Sequence, residues 1–400
     1  MKSHTELDFL GEVYASTINK NHLGTFNIAA HLKESVDPKI LQQAVNDLTT
    51  HLPFLKSRLQ PNFSLEILTE PSKIVLETAP FTFTDYYNKD KGHMLRVLYG
   101  AKHIRIEASH TLTDGRGLAK ITSALLVRYF ELMDVEINKD NIIDYKDNFQ
   151  PEVIEDAYER FATRSEKPAN KKKEPKLKKA YKHDHKQQIP THIASKTFDL
   201  DKIKHSAKEN NTTISEYILA HIFIAIAEER NESNNEKAIV AEIPIDFRHF
   251  FPSKTIRNFV GGKKIVMPET SDFDNMIQQI RHQFASITAD FVQDSINELH
   301  IAKNTLQRFP KKIKKFLIKT VSRQANKSST TMFSNLGLLK LPKAIEERLE
   351  KLEFLISPTE GLPYTFSCIT INNVLTFSIT ADVESDETIN KVMRRLEESN

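Results

Sequence analysis

Apolar residues recur every three or four positions in several segments, which is the spacing of one face of a helix. One such segment runs from Asp37 to Leu52, where Asp37 is a suitable N-cap and Pro38 suits the first turn. A second runs from Leu118 to Leu132. The pattern predicts an amphipathic helix in each segment.

The segment 214–229 is apolar at almost every position, as expected of a buried helix. Thr213 and Glu216 can form a capping box at its start. Further helices are predicted near 273–289 and near 386–397.

Alternation of apolar and polar residues between turn residues predicts strands. In the first half, strands are predicted at His93–Tyr99 and His103–Ser109. In the second half, they are predicted near residues 193–198, 238–245, 354, 366–371 and 374–380, the last two forming a hairpin across Asn372 and Asn373. The pattern thus predicts a mixture of strands and helices in both halves.

The length of 400 residues and the hydrophobic content of 39% favour two domains. The composition changes abruptly in a lysine-rich run that is too charged to pack, and this run is interpreted as an exposed basic linker at 166–190. The predicted domains are therefore 1–165 and 191–400.

Charge and cysteine usage exclude several classes of protein. The 56 basic and 53 acidic residues nearly cancel, so no general field favours nucleic acid. The single cysteine, Cys368, cannot form an internal disulfide, and no run approaches the roughly 18 apolar residues of a membrane span. The first residues lack the apolar core of a signal peptide, and a cytoplasmic location is expected.

The segment Ser109-His110-Thr111-Leu112-Thr113-Asp114-Gly115 carries the candidate chemistry. His110 lies between a predicted strand and a predicted helix, and its imidazole can act as a general base near neutral pH. Gly115 permits a sharp turn. The His-x-x-x-Asp spacing alone is weak, because a chance match occurs at His4 and Asp8. From the residues alone, His110 is either catalytic or an ordinary turn histidine.

This segment resembles the His-x-x-x-Asp-Gly signature of the chloramphenicol acetyltransferase and condensation-domain superfamily. Other segments agree in the family's order: 36–59 resembles the early helix and its closing run, 244–248 the Asp-x-Arg element, and 258–261 the Asn-x-x-Gly element. The segment 334–337 is similar to one found in the alcohol acetyltransferase and wax-ester branches.

The resemblance implies two chloramphenicol acetyltransferase-like α/β domains that form a pseudo-dimer with a tunnel between them. In the family the motif histidine deprotonates the acceptor, which attacks a thioester, so His110 is expected to be the general base. The motif aspartate commonly holds the loop through an arginine. Asp114 is therefore expected to be structural, with Arg248 as its hypothesised partner.

Further roles follow from the same resemblance. Ser334 and Asn335 are the candidates for stabilising the oxyanion, and Gly115 and Gly337 would allow close backbone approach. Structural support is expected from three residues, Asp246, Arg248 and Asn258. No serine or cysteine nucleophile is needed for direct transfer.

The resemblance implies an acyltransferase that uses acyl-coenzyme A as a co-substrate, with no permanently bound cofactor and no metal. The acceptor is expected to be a small or lipid-like molecule with a hydroxyl or amine, and a monomer suffices. Two alternatives remain: a condensation-like enzyme that takes its acyl group from a carrier protein, and a non-catalytic binding protein that keeps the fold.

Two other features have competing interpretations. His221, on an apolar helix, is interpreted as a core residue, while His183 and His185 belong to the linker and lack the further ligands of a metal site. The run 310–319 places Ile313 and Phe316 on one helical face among lysines. Core packing is favoured for this run, and coenzyme A phosphates or weak contact with an anionic membrane surface are the alternatives.

Overall fold

The computed structural model describes the chain in segments separated by gaps. The described residues are 4–19, 22–60, 63–77, 81–84, 93–138, 151–164, 179–183, 191–230, 237–270, 272–359, 361–382 and 387–398. Most of the predicted linker, including His185, lies outside them, and the domain boundaries stay a prediction.

Helices occur at the predicted places in both halves, and further helices lie between them. In the first half they are α1 (Phe9–Thr17), α2 (Pro38–His51), α3 (Gly115–Glu131) and α4 (Ala157–Phe161). In the second half they are α5 (Leu200–Glu209), α6 (Ile214–Glu229), α7 (Phe273–Ala285), α8 (Ala289–Gln307), α9 (Lys311–Lys327), α10 (Lys343–Glu346) and α11 (Glu387–Glu398). The side chain of Asp37 caps α2, and Thr213 with Glu216 forms the predicted capping box. Of these helices, none is both long and apolar enough to cross a membrane.

The strands of the first half are β1 (His4–Glu6), β2 (Thr25–Leu32), β3 (Ser57–Leu59), β4 (Ser64–Ile67), β5 (Ile74–Leu76), β6 (Leu95–Tyr99) and β7 (His103–Ser109). Those of the second half are β8 (His192–Asp199), β9 (Val240–Asp246), β10 (Val260–Val266), β11 (Thr331–Leu338), β12 (Leu349–Ile356), β13 (Tyr364–Ile371) and β14 (Val374–Ala381). The predicted hairpin of β13 and β14 is confirmed, and Asn372 at its turn has a φ of 51°, which asparagine tolerates.

Two large sheets organise the two halves. One has five strands in the order β12-β2-β7-β6-β5, and the other has six in the order β10-β9-β11-β13-β14-β8. A small sheet has the order β1-β4-β3. Strand β12 comes from the second half of the chain and pairs antiparallel with β2, from Leu349 opposite Leu32 to Ile356 opposite Phe26. The second half thus contributes a strand to the sheet of the first.

Each large sheet has its own apolar core. Helices α2 and α3 bury Leu48 and Leu125 in the cluster that contains residues of β2 and β7. Helices α6 and α11 bury Phe223 and Val392 in the cluster that contains residues of β13 and β14. His221 is buried in α6, as predicted. The two helix-covered sheets confirm the predicted α/β class.

The structure corrects the sequence analysis in two places. The predicted exposed linker is wrong at 179–183, where Ala180, Tyr181 and His183 are buried, because Ala180 bridges to Ala238 next to β9. The favoured core packing of the run 310–319 is wrong for Ile313 and Phe316, whose side chains are exposed on α9.

Candidate active site

His110 follows β7 directly, in the turn that leads into α3. Its backbone N–H donates to the carbonyl oxygen of Gly24 at 2.8 Å, which ties the turn to the residue before β2. Its ring stacks on Tyr14 of α1, with the centroids 3.9 Å apart, and contacts the ring of Phe26 at 4.7 Å. Backbone and ring contacts together fix the orientation of the imidazole.

The amide of Asn258 determines which ring nitrogen of His110 carries the proton. Its Nδ2 donates to the carbonyl oxygen of His110 at 3.1 Å and to the Asp8 carboxylate at 3.2 Å. Both of these partners are acceptors, so the amide oxygen must be the atom that lies 3.1 Å from Nδ1 of His110. Nδ1 therefore donates, and Nε2 holds the lone pair.

The electrostatics of the site favour a neutral His110. Burial lowers the pKa of His110 below its ordinary value of 6.5, although the Asp114 carboxylate and the hydrogen bond with Asn258 act in the opposite direction. Burial also raises the pKa of Asp8 to about 6, against the nearby Arg257 guanidinium. A neutral imidazole with a free lone pair is the form that a general base requires.

The carboxylate of Asp114 accepts hydrogen bonds from groups other than the His110 imidazole. Its Oδ1 accepts from the backbone N–H of Gly117 at 2.8 Å, which caps α3. Its Oδ2 accepts from Arg248 at 2.9 Å and from the backbone N–H of Phe259 at 2.7 Å. The predicted pairing of Asp114 with Arg248 is present, and it joins the motif loop to the second half of the chain.

Arg248 is anchored by several acceptors. Its guanidinium donates to the carbonyl oxygens of Thr255 at 3.1 Å and Arg257 at 2.6 Å. It also pairs with the carboxylate of Asp246 at 3.0 Å. The carbonyl contacts hold the loop that carries Asn258, and this arrangement fixes the amide beside His110.

His110 lines a cavity of about 450 Å³ that residues from both halves enclose. The first half contributes Val13, Phe26 and Gly115, and the second half contributes Met332 and Ser334 among others. The lining contains many apolar side chains. The histidine therefore faces a shared cavity, at the position where the family resemblance places the tunnel.

The predicted oxyanion residues fall on opposite faces of β11. Ser334 lines the cavity of His110, whereas Asn335 lines a second cavity of about 530 Å³ and donates to the Ser215 hydroxyl at 3.0 Å. Consecutive strand residues point to opposite faces, so Asn335 is not brought to His110 together with Ser334. Gly337 has a φ of +67° at the irregular end of β11, where glycine is the favoured residue.

Basic side chains line the second cavity. Arg116, Lys120 and His249 contribute to it, and Pro244 borders both cavities. Burial lowers the pKa of Lys120 to about 8, and the neighbouring Arg248 charge acts in the same direction. The Asp246 carboxylate also belongs to this lining, in which basic side chains outnumber acidic ones.

Sequence reasoning missed two residues that contact this network. Tyr14 carried no motif, and Asp8 was noted only as part of a chance His-x-x-x-Asp match. In the structure Asp8 is buried, caps α1 through a bond from Gly11 at 2.7 Å, and orients Asn258. Its cap position before an apolar segment was the available signal, and that signal predicts a helix start rather than a site.

Comparisons with known proteins agree with this geometry. A family model described as alcohol acetyltransferase matches residues 155–398. The chain belongs to the alcohol acetyltransferase family. The matched region holds Asn258 and Ser334 but begins after His110, so the assignment of His110 depends on the resemblance of its motif and on the contacts described above. No curated protein matches the chain.

Solved structures share the fold at low sequence identity. Polyketide synthase associated protein 5 from Mycobacterium tuberculosis has a TM-score of 0.63 at 14% identity, covering 98% of this chain and 96% of that one. The TRI3 trichothecene 15-O-acetyltransferase from Fusarium sporotrichioides has a TM-score of 0.61 at 11% identity, covering 99% and 94%. The first condensation domain of the CDA synthetase has a TM-score of 0.59 at 9% identity, covering 98% and 94%.

These findings confirm the predicted fold, a pair of chloramphenicol acetyltransferase-like α/β lobes arranged as a pseudo-dimer. They also confirm the predicted superfamily. Membership of the alcohol acetyltransferase family makes the chain an acyltransferase.

Proposed function

We propose that this chain transfers an acyl group from an acyl-coenzyme A thioester to a hydroxyl group, with His110 as the general base. An amine acceptor would use the same chemistry. The observation that carries the proposal is the contact of Asn258 Oδ1 with His110 Nδ1, which leaves Nε2 as the basic atom of a residue that lines the cavity.

The proposed reaction is a direct transfer. Nε2 of His110 accepts the proton of the acceptor hydroxyl while the hydroxyl oxygen attacks the thioester carbonyl. The tetrahedral intermediate then collapses, the carbon–sulfur bond breaks, and the departing thiolate takes the proton from the imidazolium. The ring returns to its neutral form with ester and free thiol as products. Buried Cys368, whose thiol pKa burial raises, has no part in this scheme.

Ser334 is the proposed donor to the oxyanion of the intermediate. Its side chain lines the same cavity as His110, and one preorganised donor of this kind contributes about 3 kcal/mol to the transition state. Gly115 allows the Leu336 side chain to lie close to the backbone, because a Cβ at this position would be 2.9 Å from that side chain.

The presence of two cavities supports a scheme in which the acceptor and the acyl donor enter the protein from different sides. The apolar lining around His110, with Val13 and Phe26, suits an apolar or lipid-like acceptor. Arg116 and Lys120 in the second cavity suit the phosphates of coenzyme A, which is proposed as a co-substrate and not as a bound cofactor.

Thiol release from a series of acyl-coenzyme A lengths, with and without alcohols, tests the proposal. We expect His110→Ala to lower kcat by about 10²–10⁴-fold, because the general base is lost. The matched control is His205→Ala, since His205 is exposed on α5 and lines neither cavity. Melting temperatures of both variants separate lost chemistry from lost folding.

Unchanged turnover in a folded His110→Ala variant would remove the mechanism. Turnover only with acyl groups on a carrier protein would replace coenzyme A as the donor. No turnover with either donor in the wild type would leave a binding protein that keeps the fold.

A further inference from the structure

Helix α9 is densely basic. Between Lys311 and Lys327 it has seven lysine and arginine residues and no acidic residue. Lys312, Lys315 and Lys319, spaced by three and four residues, follow one edge of the helix and are called the lysine edge. Among the described residues, none of these three lysines forms an ion pair. Their charges are therefore available to an external anionic partner.

An exposed apolar stripe runs beside the lysine edge. It consists of Phe309, Ile313 and Phe316, whose exposed fractions are 42%, 47% and 69%. Ile313 and Phe316, three residues apart, lie on one side of α9, and Phe309 lies just before the helix begins at Lys311. Four of the six large apolar side chains that are exposed among the described residues lie between positions 309 and 321, so the exposure is concentrated here.

The opposite side of α9 is fixed to the protein. Ile318 is buried, and Lys314 pairs with Glu12 of α1 at 2.6 Å. Helix α1 also carries Tyr14, whose ring stacks on His110. The orientation of the apolar stripe relative to the candidate site is therefore set by packing.

The cavity of His110 extends to this helix. Ser322, Ala325 and Asn326 of α9 line the cavity, and Ala325 is exposed. A molecule that rests on the outer side of α9 would therefore be separated from the cavity by this one helix.

We propose that α9 and Phe309 bind an anionic lipid surface and hold the His110 cavity close to it. Lysines around exposed phenylalanine and isoleucine are the composition of a helix that lies in a lipid interface. Acidic protein partners fit less well, because lysine is depleted in protein–protein interfaces. Binding to lipid does not depend on acyl transfer, whereas entry of an apolar acceptor from the lipid rests on the proposed function.

Cosedimentation of the full chain with vesicles tests the binding. We expect the protein to bind vesicles of phosphatidylglycerol and phosphatidylcholine, and to bind pure phosphatidylcholine vesicles weakly. Ile313→Ser with Phe316→Ser should weaken binding by about tenfold or more, since apolar burial in the interface is lost. Leu76→Ser with Leu338→Ser is the matched control, because it removes two exposed apolar residues elsewhere. Equal binding by the stripe variant and the wild type would overturn the proposal.

Charge reversal of the lysine edge to glutamate should abolish binding to the anionic vesicles. The matched control makes the same change in net charge at three exposed lysines of α5, Lys202, Lys204 and Lys208, and should keep binding. Equal loss of vesicle binding in both triple variants would show that binding depends only on net charge, and would overturn the proposal. Binding of the wild type to an acidic carrier protein but not to vesicles would also overturn it.

An activity arm separates this inference from the proposed function. With a water-soluble alcohol, the stripe variant should turn over like the wild type, and with a long-chain alcohol in anionic vesicles it should be slower. Vesicle binding without any turnover would contradict the proposed function and would still support the proposed binding of α9 to lipid. Normal turnover without vesicle binding would support the proposed function and would contradict the binding of α9 to lipid.

Discussion

Asn258 and His110 are 148 positions apart in the sequence, and the amide oxygen of the first lies 3.1 Å from Nδ1 of the second. The contact fixes the tautomer of the histidine through a network that ends at the buried Asp8 carboxylate. A residue that orients the second nitrogen of a functional histidine contributes to activity without touching substrate. We therefore propose that Asn258 is a positioning residue.

Asn258→Leu removes this control of the tautomer. We expect kcat to fall by about 10–100-fold, by analogy with the loss of other partners that orient histidines, with KM for acyl-coenzyme A nearly unchanged. Asn297→Leu is the matched control, because Asn297 is also buried, accepts from the backbone N–H of Thr163 at 2.9 Å, and is not among the residues that line the cavity. Steady-state kinetics and melting curves of both variants check this, and equal kinetic losses in the two would contradict a positioning role.

Asp114→Asn tests the structural role of the motif aspartate. The change removes one of the two carboxylate partners of the buried Arg248 guanidinium and leaves Asp246 as the other, so we expect a loss of about 2 kcal/mol in the free energy of unfolding, together with lower activity. Denaturant unfolding measures the first quantity and thiol release the second. An inactive variant that is as stable as the wild type would instead assign Asp114 to the chemistry.

Activity should persist into mildly acidic solution. The base must be neutral, and burial lowers the pKa of His110 from 6.5, so the neutral form is retained to a lower pH than that of a free histidine. We expect the acidic limb of kcat/KM to have an apparent pKa below 6.5. Asp8, with a pKa raised to about 6, shares the network, and the profile of Asp8→Asn separates its contribution. A limb above 6.5 would be inconsistent with this site.

Alanine variants of Ser334 and Asn335, which lie on opposite faces of β11, test which side chain donates to the oxyanion. Ser334→Ala should lower kcat by about 10²-fold or more, as the loss of one oxyanion donor does elsewhere. Asn335→Ala removes the neighbouring polar side chain, which faces the other cavity, and should leave kcat within a few fold. Single-turnover rates check both. A larger effect at Asn335 than at Ser334 would reverse the assignment.

The sequence by itself predicted several of the helices and strands and the location of the motif. Helical spacing and caps identified α2, α3 and α6, because these signals are local and a residue's neighbours along the chain are enough to produce them. The pairing of Asp114 with Arg248 was also predicted, although only through a family resemblance.

Only the tertiary structure decided which distant side chains meet at His110. The contact with Asn258 depends on a loop that Arg248 holds, and the separation of Ser334 from Asn335 depends on the faces of a strand within its sheet. The exposure of Phe316 depends on which side of α9 packs on α1. Periodicity gives the faces of an element, but the element against which each face packs is set by contacts between residues far apart in the chain.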